Sequence, residues 1–400
     1  MKKIIISVGL LAGLLRGGYA QSEKGTYEKR KLKIEEVNLV SSYYGQDGNN
    51  SAVTGGIGTE KLGDLANSID LKLSFIDRKS RQHSIVADFN IDHYTSASSD
   101  NIDPLTVSSA SRSDTHVYPS LSWSVKDDAT HTTRGISYSY STEYDYQSHG
   151  INLSFSKSSK DNNREFSLKA GAFFDTWTAI LPSELRPSGY GSAAEGDRDP
   201  VAYKPRNSYN LALSLSQVIN KRLQVLFTVE PSFQQGLLST PYHRVYFTNG
   251  SHTVEKLPGS RFKLPVGARI SYFAGDRLIL RGFYRFYNDD WGMTAHTVNV
   301  EASYKATPFF SVSPFYRFSN QTAVLYFKPY VQHLATDTCY TSDYDISGFT
   351  SHFVGMGLRF APPGGMFGIK HWNTIEVRYG HYMRSTGMVG NSITLAMKLK

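Results

Sequence analysis

Apolar and polar residues alternate with a period of two along most of this 400-residue chain. Successive side chains of a β-strand point to opposite faces, so this period predicts strands with one dry and one wet face. A clear example is the run in which Ile85, Ala87, Phe89 and Ile91 alternate with Val86, Asp88, Asn90 and Asp92.

Sixteen such runs can be recognised, and most exceed ten residues, whereas strands of soluble proteins usually have about 5–6. The segments after even-numbered runs are short and turn-like, whereas several after odd-numbered runs are long. A soluble β-sandwich has no reason to sort its loops in this way, but a barrel with short periplasmic turns and long extracellular loops does. The runs lie near 32–44, 67–77, 82–96, 115–126, 132–145, 148–159, 163–176, 207–219, 222–234, 262–274, 276–289, 294–306, 308–320, 349–361, 371–383 and 390–400.

The pattern therefore predicts an all-β fold, a single transmembrane antiparallel β-barrel of about 16 strands in a bacterial outer membrane. At the start of the chain, Lys2 and Lys3 precede an apolar run that is too short to span a bilayer, and small residues follow at Gly18 and Ala20. We expect residues 1–20 to be a signal peptide, 21–31 a periplasmic segment and 32–400 the barrel.

Interruptions of the alternating pattern predict local departures from regular strand pairing. The first run changes phase at Glu35 and Glu36, as a β-bulge would cause. Pro119, Pro231 and Pro314 interrupt runs and are interpreted as further bulges, because proline removes a ladder donor. The segment 322–330 could be an additional strand.

Composition is consistent with a barrel and excludes one other class. The chain has 26 Tyr and 22 Phe, which suits aromatic girdles at both membrane interfaces, and its single cysteine cannot form an intramolecular disulfide. The net charge is +8, but no basic run stands out, so we expect no nucleic-acid partner. The four tryptophans are interpreted as interfacial anchors: Trp123, Trp177, Trp291 and Trp372.

If the apolar residues of each run face lipid, the residues that alternate with them face the lumen. Acidic residues of that phase concentrate in the N-terminal half and basic ones in the C-terminal half, which would produce a transverse field across a pore. The alternative is a set of interior salt bridges that fill a narrow barrel. The residues predicted to line the lumen are Asp88, Asp92, Glu143, Asp145, Asp175, Arg269, Arg281, Arg285, Lys305, Arg317, Arg359, Arg378 and Lys398.

Carboxylates and imidazoles also gather toward the extracellular ends of the runs and could hold a divalent metal ion. Their spacing is not diagnostic, and Asp is an ordinary turn former, so the metal-binding residues stay unassigned. An outer-membrane hydrolase or protease is a further alternative, based on the Asp92–His93 and Asp289–Asp290 pairs, but no catalytic residue can be named. The residues concerned are Asp92, His93, Asp100, Asp103, Asp114, His116, Asp289, Asp290, His296, Asp343 and Asp345.

Several stretches resemble one family of bacterial outer-membrane proteins, common in Bacteroidetes and catalogued as domain-of-unknown-function family 3570. The resemblance implies an outer-membrane barrel and leaves its activity open. Genes of this family often lie near those for periplasmic thioredoxin-like and flavin-transfer proteins, which implies a link to envelope redox or metal metabolism. The stretches are 95–98, 108–111, Asp289–Thr297, Tyr340–Ser347 and Arg378–Gly387.

The function expected from these observations is a channel or porin-like barrel for small polar or anionic solutes, without a cofactor. The alternative is a non-conducting partner of an envelope redox or metal-handling system. The expected partners are accordingly outer-membrane lipid, a small polar or anionic solute, and periplasmic redox proteins.

Overall fold

The computed structural model describes residues 31–95, 112–178, 180–186 and 203–400, which consist mainly of β-strands. The predicted signal peptide and residues 21–30 lie outside these residues. Sixteen strands, numbered in chain order, form one antiparallel sheet within them. They are β1 Lys33–Asp47, β2 Leu62–Ile76, β3 Gln82–Thr95, β4 Ser113–Val117 with Ser120–Asp127, β5 Thr132–Thr142, β6 Tyr146–Ser158, β7 Arg164–Thr178, β8 Tyr203–Asn220, β9 Leu223–Val229 with Ser232–Gly236, β10 Ser260–Ala274, β11 Leu278–Asp289, β12 Thr294–Lys305, β13 Phe310–Gln321, β14 Phe349–Phe360, β15 Trp372–Arg384 and β16 Val389–Leu399.

The sheet closes on itself because the last strand pairs with the first. β16 runs antiparallel to β1 from Leu399 opposite Val37 to Val389 opposite Asp47. An even number of strands allows every neighbouring pair to be antiparallel, and closure removes the free sheet edges. The predicted barrel and the predicted strand number of sixteen are both confirmed.

The outer surface of the barrel is apolar. Phe89, Leu121 and Ile136 lie on adjacent strands with 48%, 54% and 47% of their surfaces exposed, while the residues next to them in sequence are Asp, Asn, Ser or Gly. Large apolar side chains exposed on every strand would cost about 25 cal/mol per Å² in water, so this surface requires lipid. The described residues include no helix long and apolar enough to cross a bilayer.

The predicted bulge in β1 is confirmed. Pairing between β1 and β2 shifts register between Ile34 and Glu36. Both adjacent glutamates then form interior ion pairs, Glu35 with Lys72 on β2 at 3.1 Å and Glu36 with Lys398 on β16 at 2.5 Å. One extra residue thus allows β1 to pair its charges with both neighbouring strands at the seam of the barrel.

The prediction that three prolines mark bulges is wrong. Pro119 separates the two parts of β4 and Pro231 those of β9, yet both parts of each strand keep the same register against their neighbours. Pro314 lies within an unshifted pairing, opposite Met356. A proline lacks only its own N–H, and its carbonyl still accepts, as that of Pro119 does from the Tyr140 N–H at 3.1 Å. No residue is inserted, so no bulge forms.

The loops on the two ends of the barrel differ as predicted. Turns that follow even-numbered strands are short, such as 128–131 and 275–277. The opposite end carries loop 1 (48–61), the described part of loop 4 (180–186), loop 5 (237–259) and loop 7 (322–348). The segment 322–330 is not a strand, which corrects that expectation. It belongs to loop 7, where Phe327 forms a single bridge with Thr341.

The two faces of β5 provide a test of the orientation of the sheet. Replacing outward Ile136 with Lys is expected to lower the free energy of unfolding by about 2–4 kcal/mol, because the ammonium group would face hydrocarbon. The matched Ser137→Lys variant places the same charge on the inner face and is expected to change stability much less. Urea unfolding of both variants in lipid vesicles measures the difference, and equal losses would contradict the assigned faces.

Candidate functional site

The structure places eleven of the thirteen predicted lumen residues on the inner face of strands, opposite to the exposed apolar side chains. Arg285, for instance, follows outward Tyr284, and Asp175 follows outward Phe174. The remaining two, Glu143 and Asp145, lie in the turn 143–145 at the extracellular end. Whether these residues border a conducting path stays a prediction.

The acidic wall lies on β2 and β3. Asp70 and Asp88 stand directly opposite each other in the pairing of these two strands. Asp88 accepts a hydrogen bond from the Ser120 hydroxyl at 2.8 Å, and Asp92 accepts one from the Tyr118 hydroxyl at 3.0 Å. Within the described residues none of these three aspartates forms an ion pair, so their charges are not neutralised by a neighbouring cation.

The basic wall extends from β10 to β14. Arg269 and Arg317 approach the rings of Phe283 and Phe353, with the guanidinium carbons 5.7 and 5.8 Å from the ring centres. Arg285 lines a small cavity together with Arg269. No ion pair among the described residues involves any member of the set Arg269, Arg285, Lys305, Arg317 and Arg359.

Other interior charges are paired with partners on neighbouring or nearby strands. Glu301 on β12 accepts from Arg281 at 2.7 Å and from Arg378 at 2.8 Å. Between the two walls, Asp175 on β7 pairs with Arg206 on β8 at 3.1 Å. These pairs join strands that are neighbours or lie close in the barrel, and they leave the unpaired acids and bases on separate walls.

The two unpaired sets face each other across the barrel. In a closed ring of sixteen strands, β2 and β10 are eight strands apart in either direction, and so are β3 and β11. Asp70 and Asp88 therefore lie diametrically opposite Arg269 and Arg285. Each of these residues is also several positions from the periplasmic end of its strand, which places them at similar depth.

Loop 7 reaches into the extracellular mouth. Asp345 in this loop pairs with Arg384 on β15 at 2.8 Å. Together with Arg317 they line a cavity of about 380 Å³ that also includes Tyr44 and Phe353. This cavity is thus bordered by two arginines and one loop carboxylate.

Loops 1, 4, 5 and 7 pack together into a cap over the barrel. Arg244 in loop 5 donates to the Val53 carbonyl of loop 1 at 2.9 Å and pairs with Glu184 of loop 4 at 2.6 Å. Gly55 has a positive φ of 82°, and a Cβ there would lie 2.6 Å from the Tyr246 ring, so only glycine allows this approach.

The cap has its own small core. Val245, His333 and Thr341 have 0%, 1% and 0% of their surfaces exposed. His333 bonds the Thr341 carbonyl through Nε2 at 2.9 Å and approaches Asp337 through Nδ1 at 3.2 Å. Buried polar groups that are hydrogen-bonded in this way fix loop geometry, so the cap is an ordered structure.

Two clusters of potential metal ligands occur in the part of the chain that the structure describes. One consists of His243 and Glu255 from loop 5 with Asp343 from loop 7, and the other of Asp114, Glu143 and Asp145. Sequence analysis named Asp114 and Asp343 as metal candidates but missed His243 and Glu255. Neither residue belongs to an alternating run, and only the packing of loop 5 on loop 7 brings them to Asp343.

Burial and charge shift the pKa values of the first cluster. Burial alone would lower the pKa of His243, but the carboxylates of Glu255 and Asp343 beside it raise the pKa above its ordinary value. Burial raises the pKa of Asp343 to about 6, against the opposing effect of His243. The imidazole and the carboxylates therefore favour each other's charged forms, whereas Glu255 disfavours the charged form of Asp343.

Of the other candidates for metal binding or catalysis, His116 lies beside the second cluster, with Nδ1 3.5 Å from Glu143 Oε1. The remaining pairs named from the sequence form no such cluster within the described residues. Asp92 faces the lumen, whereas His93 next to it points outward and bonds the Thr115 hydroxyl. Asp289 stabilises the turn that follows β11. Its Oδ1 accepts from the N–H groups of Trp291 and Met293, and its Oδ2 pairs with Arg261. Asp100 and Asp103 lie outside the described residues.

The interpretation of the tryptophans as interfacial anchors is wrong for two of the four. Trp291 is 3% exposed and packs with Met293 and Val324 under the cap. Trp177 lies on the inner face, where its Nε1 donates to Asp145 at 3.4 Å. Trp123, by contrast, points outward with 45% of its surface exposed, as an anchor should.

The closed barrel with its apolar outer surface and interior charges defines an integral outer-membrane β-barrel. Residues 90–392 match the model of a family described as "Protein of unknown function (DUF3570)". The chain belongs to this family, which confirms the resemblance seen in the sequence. The comparison with curated proteins found no match.

The chain is also similar to solved barrel structures. A BenF-like porin from Pseudomonas fluorescens Pf-5 has 10% identity and a TM-score of 0.43, over 91% of this chain and 98% of the porin. OccD3 (OpdP) from Pseudomonas aeruginosa has 8% identity and a TM-score of 0.46, over 96% of both chains.

A mutant of the ferric enterobactin receptor (PfeA) from Pseudomonas aeruginosa has 12% identity and a TM-score of 0.45 over 87% of this chain. This chain spans about half of the receptor, 53% of its length. Identities and scores this low do not support a functional assignment.

Asp145 provides a test of the electrostatics at the extracellular end. The carboxyl is 4% exposed, and burial together with the nearby Glu143 and Asp114 raises its pKa to about 6, despite the Trp177 hydrogen bond. A raised carboxyl pKa means that the folded state loses stability as pH increases from about 4 to about 6. Asp145→Asn is therefore expected to stabilise the barrel by about 1–3 kcal/mol at pH 8 and by nothing at pH 4.

Thermal unfolding midpoints in detergent, measured at both pH values, check this expectation. Asp128→Asn is the matched control, since Asp128 is exposed in a periplasmic turn and paired with Lys126 at 2.8 Å. A gain in the Asp145 variant that was the same at both pH values would contradict the assigned cause.

Proposed function

We propose that this protein is a porin-like channel that passes small polar solutes with a weak preference for anions. The observation that carries the proposal is the separation of unpaired charges inside the barrel. Asp70 and Asp88 lie opposite Arg269 and Arg285, and no described ion pair joins the two walls.

Separated charges favour a water-filled interior over a filled one. In a barrel filled by its own side chains, opposite charges would meet and pair, since an unpaired buried charge is strongly unfavourable. The described interior charges that do pair have partners on nearby strands, as Glu301 does with Arg281, and no pair crosses from one wall to the other. Unpaired carboxylates and guanidinium groups on opposite walls are stable where water solvates both. Barrels of 16–18 strands are also wide enough for an aqueous channel.

Opposed walls would act on the solute as well as on water. The field between them orients a dipolar solute across the pore and guides an anion along the basic wall. Arg317 and Arg384 continue the positive surface up to the mouth. The cavity of about 380 Å³ beneath loop 7 favours small solutes over large ones.

Planar-bilayer recording tests the proposal. We expect wild-type protein to conduct, with a reversal potential in a KCl gradient that indicates preference for chloride. Replacing Arg269 and Arg285 with Gln is expected to reduce the chloride-to-potassium permeability ratio about 2–5-fold, because the positive potential of one wall is removed. Replacing Asp70 and Asp88 with Asn is expected to change the ratio in the opposite direction.

Lys157→Gln is the matched control, since this lysine lies on the outer face of β6 near the periplasmic end and its loss should leave the ratio unchanged. Folded wild-type protein without conductance would overturn the channel. Conductance with the same ratio in all variants would overturn the role of the two walls.

The packed cap favours a second candidate function, a non-conducting partner of an envelope redox or metal-handling system. Loops 1, 4, 5 and 7 meet around Arg244, and such an ordered extracellular surface suits recognition as well as gating. The bilayer recording separates the two candidates, because a non-conducting partner gives no current.

A further inference from the structure

The channel does not use the cluster of His243, Glu255 and Asp343 in the cap. The Nδ1 atom of His243 lies 3.8 Å from Glu255 Oε2 and 3.8 Å from Asp343 Oδ2. The three ligand atoms lie within 4.8 Å of one another. Their arrangement is a triangle with a nitrogen and two carboxylate oxygens at its corners.

Hydrogen bonds do not account for this triangle. The His243 Nδ1 atom is buried and has no hydrogen-bond partner in the structure. Its two distances of 3.8 Å exceed the 2.7–3.2 Å range of an N–H···O hydrogen bond. Buried polar atoms are nearly always bonded, so an atom of this kind that faces two carboxylates indicates a missing ligand between them.

The spacing fits a bound cation. Ligands at about 2.0–2.2 Å from a tetrahedral metal ion are about 3.3–3.6 Å apart. The three atoms lie within 4.8 Å of one another, and side-chain adjustments would bring them to that separation. One imidazole and two carboxylates also form a donor set typical of divalent transition metals.

Other residues already hold the two carboxylates in place. Glu255 accepts from the Thr240 N–H at 2.8 Å through Oε1 and from the Thr341 hydroxyl at 2.5 Å through Oε2. Asp343 accepts from the Asp345 N–H at 2.8 Å through Oδ1, which leaves Oδ2 directed at His243. Hydrogen bonds of this kind orient metal ligands from behind, and they are preserved when an ion binds.

The net negative charge of the cluster also favours a bound cation. Among the described residues, the ion pairs of Glu255 and Asp343 are those with His243, one imidazole for two carboxylates. The nearby Arg384 is committed to Asp345. A buried carboxylate (Glu255) and a half-buried one (Asp343) without a lysine or arginine partner are stabilised by a divalent cation.

We propose that His243, Glu255 and Asp343 form a binding site for one divalent transition metal ion of the zinc type in the extracellular cap. Zinc accepts mixed nitrogen and oxygen ligands in a tetrahedron, and water completes the fourth position. Calcium requires six to eight oxygen ligands, so it does not suit a three-residue site with an imidazole. The ion would fasten loop 5 to loop 7.

Calorimetric titration of the folded full-length protein in detergent with zinc chloride tests the site. We expect binding of one equivalent, and a loss of affinity of at least about tenfold in His243→Gln and in Glu255→Gln, because each variant removes one of three ligands. Asp128→Asn, which removes a carboxylate from an exposed periplasmic turn outside both clusters, is the matched control and should bind zinc as the wild type does. Heat-modifiable mobility on gels verifies that each variant is folded.

X-ray absorption at the zinc edge provides the second readout. A spectrum with one imidazole nitrogen and oxygen neighbours in the wild type is expected, and the imidazole contribution should disappear in His243→Gln. The proposal is overturned by absence of zinc binding to folded protein, by unchanged affinity in both ligand variants, or by calcium binding more tightly than zinc. None of these results depends on conductance, so the proposed metal site and the proposed channel are tested independently.

Discussion

Every other feature of this barrel depends on the closed ladder of backbone hydrogen bonds in contact with lipid. A peptide group in hydrocarbon has no water to bond, so the sheet must close, as it does where β16 meets β1. Once closed, the strand period assigns each residue to lipid or to the interior. A slip of one residue would turn Asp88 outward and Phe89 inward, and lipid would reject that register.

This constraint explains which parts were predictable from sequence. The sixteen strands and their inner faces follow from the period of two, because the alternation of apolar and polar residues within each strand shows which side faces lipid. Loop residues show no such alternation, so their packing cannot be predicted in this way. Trp291 looks like an interfacial anchor, and only the contacts of loop 7 reveal that it is buried. His243, Glu255 and Asp343 are likewise distant in sequence and meet through loop packing alone.

The prolines illustrate a subtler limit. Their sequence positions correctly indicate weakened pairing, but a missing N–H can be accommodated either by a bulge or by one absent hydrogen bond. The neighbouring ladder decides between these outcomes. At Pro119, the Tyr118 N–H still donates to Asn90 and the register continues unchanged, so the strand tolerates the proline without an inserted residue. Glu35 and Glu36 form a bulge because both carboxylates gain a lysine partner.

The cap and the interior are connected through one short segment of loop 7. Asp343 belongs to the proposed metal site, and Asp345 two residues later pairs with Arg384 on the barrel wall. Within this segment the Asp345 N–H donates to Asp343 Oδ1, so the two carboxylates are mechanically linked. An ion that fixed Asp343 would therefore also fix Asp345 at the cavity bordered by Arg317. The two sites thus share a rigid segment, because the residue that pairs with Arg384 on the barrel wall also donates the hydrogen bond that orients Asp343 in the cap.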